Sequence, residues 1–389
     1  MRRIIVLRNA LIINPHSETY GDIEIEDGII RRIGHLSDIN HDATVVDVGG
    51  RATMPGFIDV HVQGAGGSDV LDADPAALNT ISRACAKFGV TGLLATTIYR
   101  PEKENRHISN VVEFSRNMAG ARILGIHLEG PFISIEQRRM IHESAVTTPS
   151  IELVRHIIQE CGGMLRMMTI APELPGADKI INYLSASSIV PSFGHSSATY
   201  EKSIEAFEMG VGHVTHLFNA MEPMHHRSPG PIPAVFESKT VTAQIISDGI
   251  HVHPAIVRLA ADNLGEDRCV LITDAVRSLG LPDGEYEYDG RKFIASGGVA
   301  RYIDGTLIGT TLGMNELGRR FLTFTGWGLK ALAKATSWNP ARLLGMHKLK
   351  GSIEVGKHGD LVVLNPDFEV WLTIVMGDIV YSGTGANGL

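Results

Sequence analysis

The chain has 389 residues, 44% of them hydrophobic and 20% charged, a composition that excludes a disordered segment and suffices for a large core. Its net charge is -8 with no basic stripe and no run of Lys or Arg, which argues against nucleic-acid binding. No apolar run approaches the roughly 18 residues of a membrane helix, and Arg8 and Asn9 interrupt the N-terminal stretch with no small-residue cleavage site after it, which argues against a signal peptide. The cysteines, Cys85, Cys161 and Cys269, are widely spaced with no CxxC pair. They read as buried free thiols in a reducing compartment, so a cytoplasmic location is expected.

Taken in chain order, the first fifty residues alternate short β-rich runs with turn signals: Ile4–Leu7, Ala10–Ile13, Asp22–Glu26 and Ile29–Ile33, parted by Asn-Pro, Tyr-Gly and Asp-Gly. A different middle follows. Eight strand-like runs, Gly56–Val62, Gly92–Thr97, Arg122–His127, Leu165–Ile170, Ile189–Phe193, His213–Leu217, Val241–Ser247 and Cys269–Thr273, alternate with helical patterns such as Ala76–Phe88, Ile151–Glu160, Tyr200–Met209 and Pro254–Leu264. Alternation of this kind is the signature of βα units and a parallel sheet. Eight units predict an α/β fold closed as a (β/α)8 barrel of the TIM type, with a doubly wound open sheet as the alternative. Gly284–Arg301 reads as a hairpin insertion, and helices are expected near Leu312–Leu322 and Leu329–Lys334. The tail returns to the style of the start, with strands expected at Gly351–Val355, Asp360–Leu364, Val370–Val375 and Asp378–Tyr381.

Polar residues gather where the strand-like runs end: His61 and Gln63, His127 and Glu129, His195, His216, His251 and Asp274. In a barrel the C-terminal ends of all strands surround one mouth, where active sites are built, so these scattered residues should converge. Glu129, His195 and His216 form a three-ligand set for a divalent metal that leaves a position open. Any one histidine alone reads better as a hydrogen-bonded core residue; three together at strand ends do not. Asp274 leaves an apolar strand directly, which is costly unless it faces water, a metal or a cation. It reads as a general base, with a helix N-cap as the alternative.

The segments PGFIDVHVQG, HLEGPF, FGHSSAT, THLFNAM, HHRSPG, SDGIHVH and LITDA resemble the motif series of the N-acetylglucosamine-6-phosphate deacetylase family within the amidohydrolase superfamily. The tail GSIEVGKHGDLVVLN resembles the segment by which amidohydrolases return to a small β-sandwich. The resemblance thus implies a sandwich of residues 1–52 plus 346–389 around a catalytic barrel of residues 53–345. It implies removal of the N-acetyl group from N-acetylglucosamine 6-phosphate, metal ligation by Glu129, His195 and His216, and catalysis by Asp274 with His251 contacting the carbonyl and the substrate. The implied cofactor is one divalent ion per subunit, zinc first, with iron, cobalt, manganese or nickel as alternatives. Phosphosugar contacts are implied at Asn219, Ala220 and Leu307, and at Arg227, donated across a homodimer interface; on its own the stretch His225, His226, Arg227 reads as a solvated loop.

Two departures from the family pattern stand out. Where the superfamily has His-x-His for a second metal, this chain has His61-Val62-Gln63, and a neutral amide is a poor transition-metal ligand. His61 and Gln63 are therefore expected to hold water or a weak second ion. After HLEGPF, the histidine expected to touch the sugar stands displaced at His142, within Gln137-Arg138-Arg139-Met140-Ile141-His142, which leaves the identity of the sugar open. A deacetylase of N-acetylgalactosamine 6-phosphate and a catalytically silent scaffold are the rival readings; the intact Glu129, His195, His216 and Asp274 speak against the second.

Overall fold

The computed structural model describes residues 3–386, so the outermost ends of the expected flanking unit, residues 1–2 and 387–389, lie outside the described residues. Eight strands, Phe57–Val62, Val90–Thr97, Arg122–Glu129, Leu165–Ile170, Val190–Phe193, His213–Val214, Thr242–Ile245 and Cys269–Leu271, pair in parallel and in sequence order. The ring closes where Val62 bridges Ala275 and the Gln63 and Gly64 amides donate to the Ala275 carbonyl at 2.9 and 3.0 Å. Beneath that seam the fully buried Asp59 carboxylate accepts from the Thr273 hydroxyl at 2.5 Å and from its amide at 3.3 Å. Burial lifts this carboxyl to about 6 against those hydrogen bonds. Each of the eight runs read from the sequence holds one barrel strand, because a parallel sheet covered on both faces needs near-continuous apolar runs. Val90–Thr97, for example, is buried at every position.

The sixth and eighth strands stop well short of the ends of their apolar runs. His216 and Phe218 take φ values of 27° and 77°, so the sixth strand leaves the ladder after Val214, and Asp274 at φ 50° turns the chain away after the eighth. In both places the backbone bends where a candidate side chain must face the mouth. The helices between strands are Pro75–Ala86, Arg106–Phe114, Ile151–Glu160, Ala177–Ala186, Tyr200–Glu208, Pro231–Glu237 and Pro254–Leu264. Asp74 caps the first through the Ala76 amide with Pro75 in the first turn, and Ser150 caps Ile151–Glu160 through the Leu153 amide. The expected hairpin insertion is a four-stranded antiparallel sheet, Gly284–Tyr288, Arg291–Ser296, Val299–Tyr302 and Leu307–Thr310, and helix Met314–Thr325 follows it.

Both chain ends enter one further sheet and form the small β-sandwich unit of the fold. Its order runs Asp378–Ser382, Val370–Val375, Leu361–Leu364, Ala52–Pro55, Ile4–Ile13, Glu18–Glu26, Ile29–Gly34, with Thr44–Asp47 also pairing with Ile4–Ile13. Its core, including Leu7, Ile12, Ile23, Ile25, Leu361, Val363 and Leu372, is separate from the barrel's. The first two expected strands are one strand with an irregularity after Leu7, where Asn9 sits at φ 57° and its amide donates to Asp22. The strand expected at Gly351–Val355 does not form. Asn14 takes the place of a partner strand: its side chain accepts from the Ile353 amide at 2.6 Å and donates to the Ile353 carbonyl at 2.9 Å. No helix among the described residues is long and apolar enough to cross a membrane.

Candidate active site

At the C-terminal mouth of the barrel lies a cavity of about 580 Å³ whose walls include Gln63, Glu129, His195, His216, His251 and Asp274. Residues drawn from six different strands thus meet in one place, as the strand-end reading expects. Glu129 ends the third strand; His195 (φ 48°), His216 and Asp274 follow the fifth, sixth and eighth at positive φ. Such backbone strain persists where the surrounding structure over-determines it, and it concentrates at functional sites.

Glu129, His195 and His216 are all buried, and one ligand atom from each lies within 4.8 Å of the others. Glu129 Oε1 stands 3.1 Å from His195 Nε2 and 3.2 Å from His216 Nε2, and the two Nε2 atoms are 3.1 Å apart. On the far sides of the rings, His195 Nδ1 donates to the Gln137 carbonyl at 2.8 Å and His216 Nδ1 to the Asn219 carbonyl at 3.2 Å. Those carbonyls hold the protons on Nδ1, leaving Nε2 lone pairs aimed at a carboxylate oxygen. Three lone-pair donors converging in a buried pocket repel one another unless a cation sits between them, and two imidazoles with a carboxylate suit a divalent transition metal. The donor set therefore fits a divalent metal ion.

His61 and Gln63 lie beside this cluster. His61 Nδ1 donates to Gln244 Oε1 at 3.1 Å, while Nε2 faces Asp274 Oδ1 at 3.3 Å and Glu129 Oε2 at 3.5 Å. Burial opposes charge on this ring, but the two carboxylates outweigh it and lift its pKa to about 9. Gln63 Nε2 donates to Glu129 Oε2 at 3.2 Å and approaches Asp274 Oδ1 at 3.5 Å. Burial likewise opposes charge on Glu129, yet the charge on His61 beside it holds its carboxyl well below the usual range. His127 takes no place in the cavity wall. Its ring is buried between the Val60 carbonyl and the Thr169 hydroxyl, a satisfied core histidine.

No helix starts after Asp274, so the capping alternative does not apply. Its backbone carbonyl accepts from the Thr310 amide at 2.9 Å, and the position beside it must be glycine: a Cβ on Gly309, at φ 148°, would stand 2.4 Å from that carbonyl. Gly309→Ala is accordingly expected to cost about 1–3 kcal/mol of stability and to lower turnover by displacing Asp274. Thermal melting and kcat measured together check this, and an unchanged Tm with unchanged kcat would contradict it.

Chain segments around the cavity carry further polar groups. His251 lines it and gives Nδ1 to Asp248 at 2.6 Å, leaving Nε2 for a ligand. Asp248 also accepts from the Ile250 and His251 amides at 2.8 Å each. Sequence reading missed Asp248, although its place three residues before His251 in SDGIHVH is the available signal. Asn219, Ala220 and Leu307 line the cavity as expected. Two expected contacts are absent from the wall. Arg227 is exposed in its own chain, with Nη1 at 2.8 Å from His226. His142 is exposed as well, its Nδ1 beside the Ser144 hydroxyl and amide, because it caps the short turn Glu143–Ala145. Arg138, Arg139 and Met140 line the cavity in its stead. Gln137, also unforeseen, is buried; its carbonyl holds His195, its side-chain oxygen accepts from Arg139 at 2.8 Å and its amide donates to Glu222 at 2.9 Å.

Residues 52–380 match the model of the amidohydrolase family. The chain belongs to that family. This amidohydrolase is 38% identical over 336 residues to the N-acetylglucosamine-6-phosphate deacetylase of Bacillus subtilis, covering 84% of each chain. It is 31% identical over 359 residues to the N-acetylgalactosamine-6-phosphate deacetylase of Escherichia coli O157:H7, covering 92% of this chain and 94% of that one. Among solved structures, it superposes with a TM-score of 0.89 and 30% identity on a mutant of the Mycobacterium smegmatis N-acetyl-D-glucosamine-6-phosphate deacetylase in complex with N-acetyl-D-glucosamine-6-phosphate, covering 98% of this chain and 100% of that one. The eight-stranded barrel, the sandwich of both chain ends and the buried Glu/His/His cluster thus belong to an amidohydrolase whose relatives deacetylate phosphorylated amino sugars.

Proposed function

We propose that this amidohydrolase hydrolyses the N-acetyl group of N-acetylglucosamine 6-phosphate to give glucosamine 6-phosphate and acetate. The observation that carries the reading is the convergence of the Glu129, His195 and His216 donor atoms beside Asp274 in one cavity. One divalent ion per subunit, with zinc favoured by the two-imidazole, one-carboxylate set, would be held by those three residues. Bound there, it supplies Lewis-acid polarisation of the amide carbonyl and a water acidic enough to react near neutrality. Gln63, an amide where a second imidazole would stand, supports one ion rather than two, with His61 and Gln63 ordering water around the carboxylates.

Asp274 takes the proton from the attacking water and returns it to the sugar nitrogen as the C–N bond breaks, so that acetate and a free amine leave. His251, steadied by Asp248, meets the substrate carbonyl through Nε2. Asn219, the Ala220 amide and Leu307 orient the phosphosugar, so binding energy far from the reacting carbon positions the amide. The catalytic unit is residues 53–345 and the flanking unit residues 1–52 plus 346–389, the chain crossing within the strand Ala52–Pro55. The buried free thiols Cys85, Cys161 and Cys269 support a cytoplasmic enzyme.

Arg227 completes the phosphate site from the neighbouring subunit of a homodimer; its exposure in its own chain supports that reading. Mixing Arg227→Ala subunits with Asp274→Asn subunits is then expected to restore activity, because one site of each hybrid has both a working base and a donated arginine. Subunit exchange without recovery, or a monomer in sedimentation, would rule out the shared site while leaving the reaction itself standing.

A second reading, in which the 4-epimer, N-acetylgalactosamine 6-phosphate, is the better substrate, is supported by the similarity to a deacetylase named for that sugar, with His142 outside the cavity lining. Acetate release from metal-reconstituted enzyme, measured on both sugars with and without the 6-phosphate, decides between them. The highest kcat/KM is expected for N-acetylglucosamine 6-phosphate, and no acetate from either phosphorylated sugar would overturn the proposal.

A further inference from the structure

Arg138 and Arg139 line the cavity, yet neither forms an ion pair with a carboxylate among the described residues. Arg138 spends one donor on the Ile141 carbonyl at 3.0 Å and Arg139 one on Gln137 Oε1 at 2.8 Å. A guanidinium has five N–H donors, so most remain available on each. Two acidic residues lie nearby without pairing to them: Glu136, which also lines the cavity and accepts from the Ser134 hydroxyl at 2.7 Å, and Glu222, which accepts from the Gln137 amide at 2.9 Å. Arg139 itself sits at φ 50°, a conformation that turns the chain between two cavity-lining neighbours.

The same contacts locate these cations. Through Gln137, Arg139 is tied to Glu222, two residues beyond Ala220, and the Ala220 carbonyl accepts from the Ser196 amide at 3.1 Å. The arginine pair thus shares the cavity lining with Asn219 and Ala220, the groups that within one subunit would otherwise offer a dianion only neutral amides. We infer that Arg138 and Arg139 form a same-chain clamp for the phosphate of the substrate, joining Asn219 and Ala220 from within the subunit. This rests on the phosphosugar reading above. It assigns the segment that departs from the family's histidine pattern to anion recognition, and it gives each subunit cationic phosphate contacts of its own. Planar guanidinium donors suit phosphate oxygens, and two of them side by side suit its double charge.

The test compares wild type, Arg138→Ala, Arg139→Ala, the double variant and a charge-matched control, Arg122→Ala, an exposed residue at the opposite end of the barrel. Two quantities are read: the ratio of kcat/KM for the 6-phosphorylated over the unphosphorylated N-acetyl sugar, and the Kd of inorganic phosphate by calorimetry. Each single variant is expected to lower the ratio about tenfold and the double variant about a hundredfold, chiefly through KM, with phosphate binding weakened in parallel. Arg122→Ala should match wild type, and Arg138→Lys with Arg139→Lys should recover part of the loss by restoring charge without the planar fork. An unchanged ratio in a folded double variant overturns the clamp. Should wild type release acetate from no sugar, the reaction has failed but the clamp is still decided by calorimetry: weaker phosphate binding in the double variant upholds it, and equal or absent binding overturns it.

Discussion

Asp274→Asn is expected to fold, to keep its full metal content and to lose about 10²- to 10⁴-fold in kcat. The asparagine is nearly isosteric, so it can keep the backbone bend at φ 50° and the contact of the Asp274 carbonyl with Thr310. What it cannot do is accept a proton from water and pass it to the departing nitrogen. The neighbours do not replace it: Glu129 is committed to His195 and His216, and Gln63 is an amide already. Measuring kcat beside elemental analysis separates the possible roles. A near-native kcat would remove Asp274 from the chemistry, and joint loss of metal and turnover would make it a ligand instead.

His195→Ala should weaken metal binding by about 100-fold or more, since changes even in the groups that orient ligands cost 10- to 100-fold, and activity should fall to background. A second readout makes this specific. In wild type, divalent metal should raise the melting temperature, because an ion that binds only the folded chain stabilises it by mass action. In the variant that response should vanish. Chelator competition and melting curves with and without zinc check both statements; undiminished metal content would remove His195 from the ligand set.

Much of this site was legible because of how barrels use sequence. Parallel strands need continuous apolar runs, so a carboxylate or imidazole at the end of such a run is conspicuous, and Glu129, His195, His216 and Asp274 stood out for that reason. The groups that orient them did not. Gln137 acts on His195 through its backbone carbonyl, which carries no residue-type signal, and Asp248 reaches His251 through a local turn. Position also misled where one side chain was sought by resemblance: a histidine was expected near His142, while the cavity takes Arg138, Arg139 and Met140 from the same stretch. In the fold, Gly351–Val355 had a strand's pattern but is held by a side chain rather than a neighbouring strand. The helices Arg106–Phe114, Ala177–Ala186 and Pro231–Glu237 are less marked in the sequence, because none of them has a side-chain cap.

The sheet shared by the two chain ends imposes an order of assembly. Met54 pairs with Val362, so the strand Ala52–Pro55 is synthesised with one edge open and keeps it open until the whole barrel has been made. During that interval the nascent chain carries a strand paired only with Ile4–Ile13, its open edge blunted at the end by Pro55, which offers no amide to a wrong partner. Barrel formation brings the late strand Leu361–Leu364 to that edge, which turns a pairing distant in sequence into a local one. A chain that terminates before residue 361 therefore leaves the ribosome with its catalytic residues already made and a sticky edge that nothing covers, a species for which aggregation competes with function.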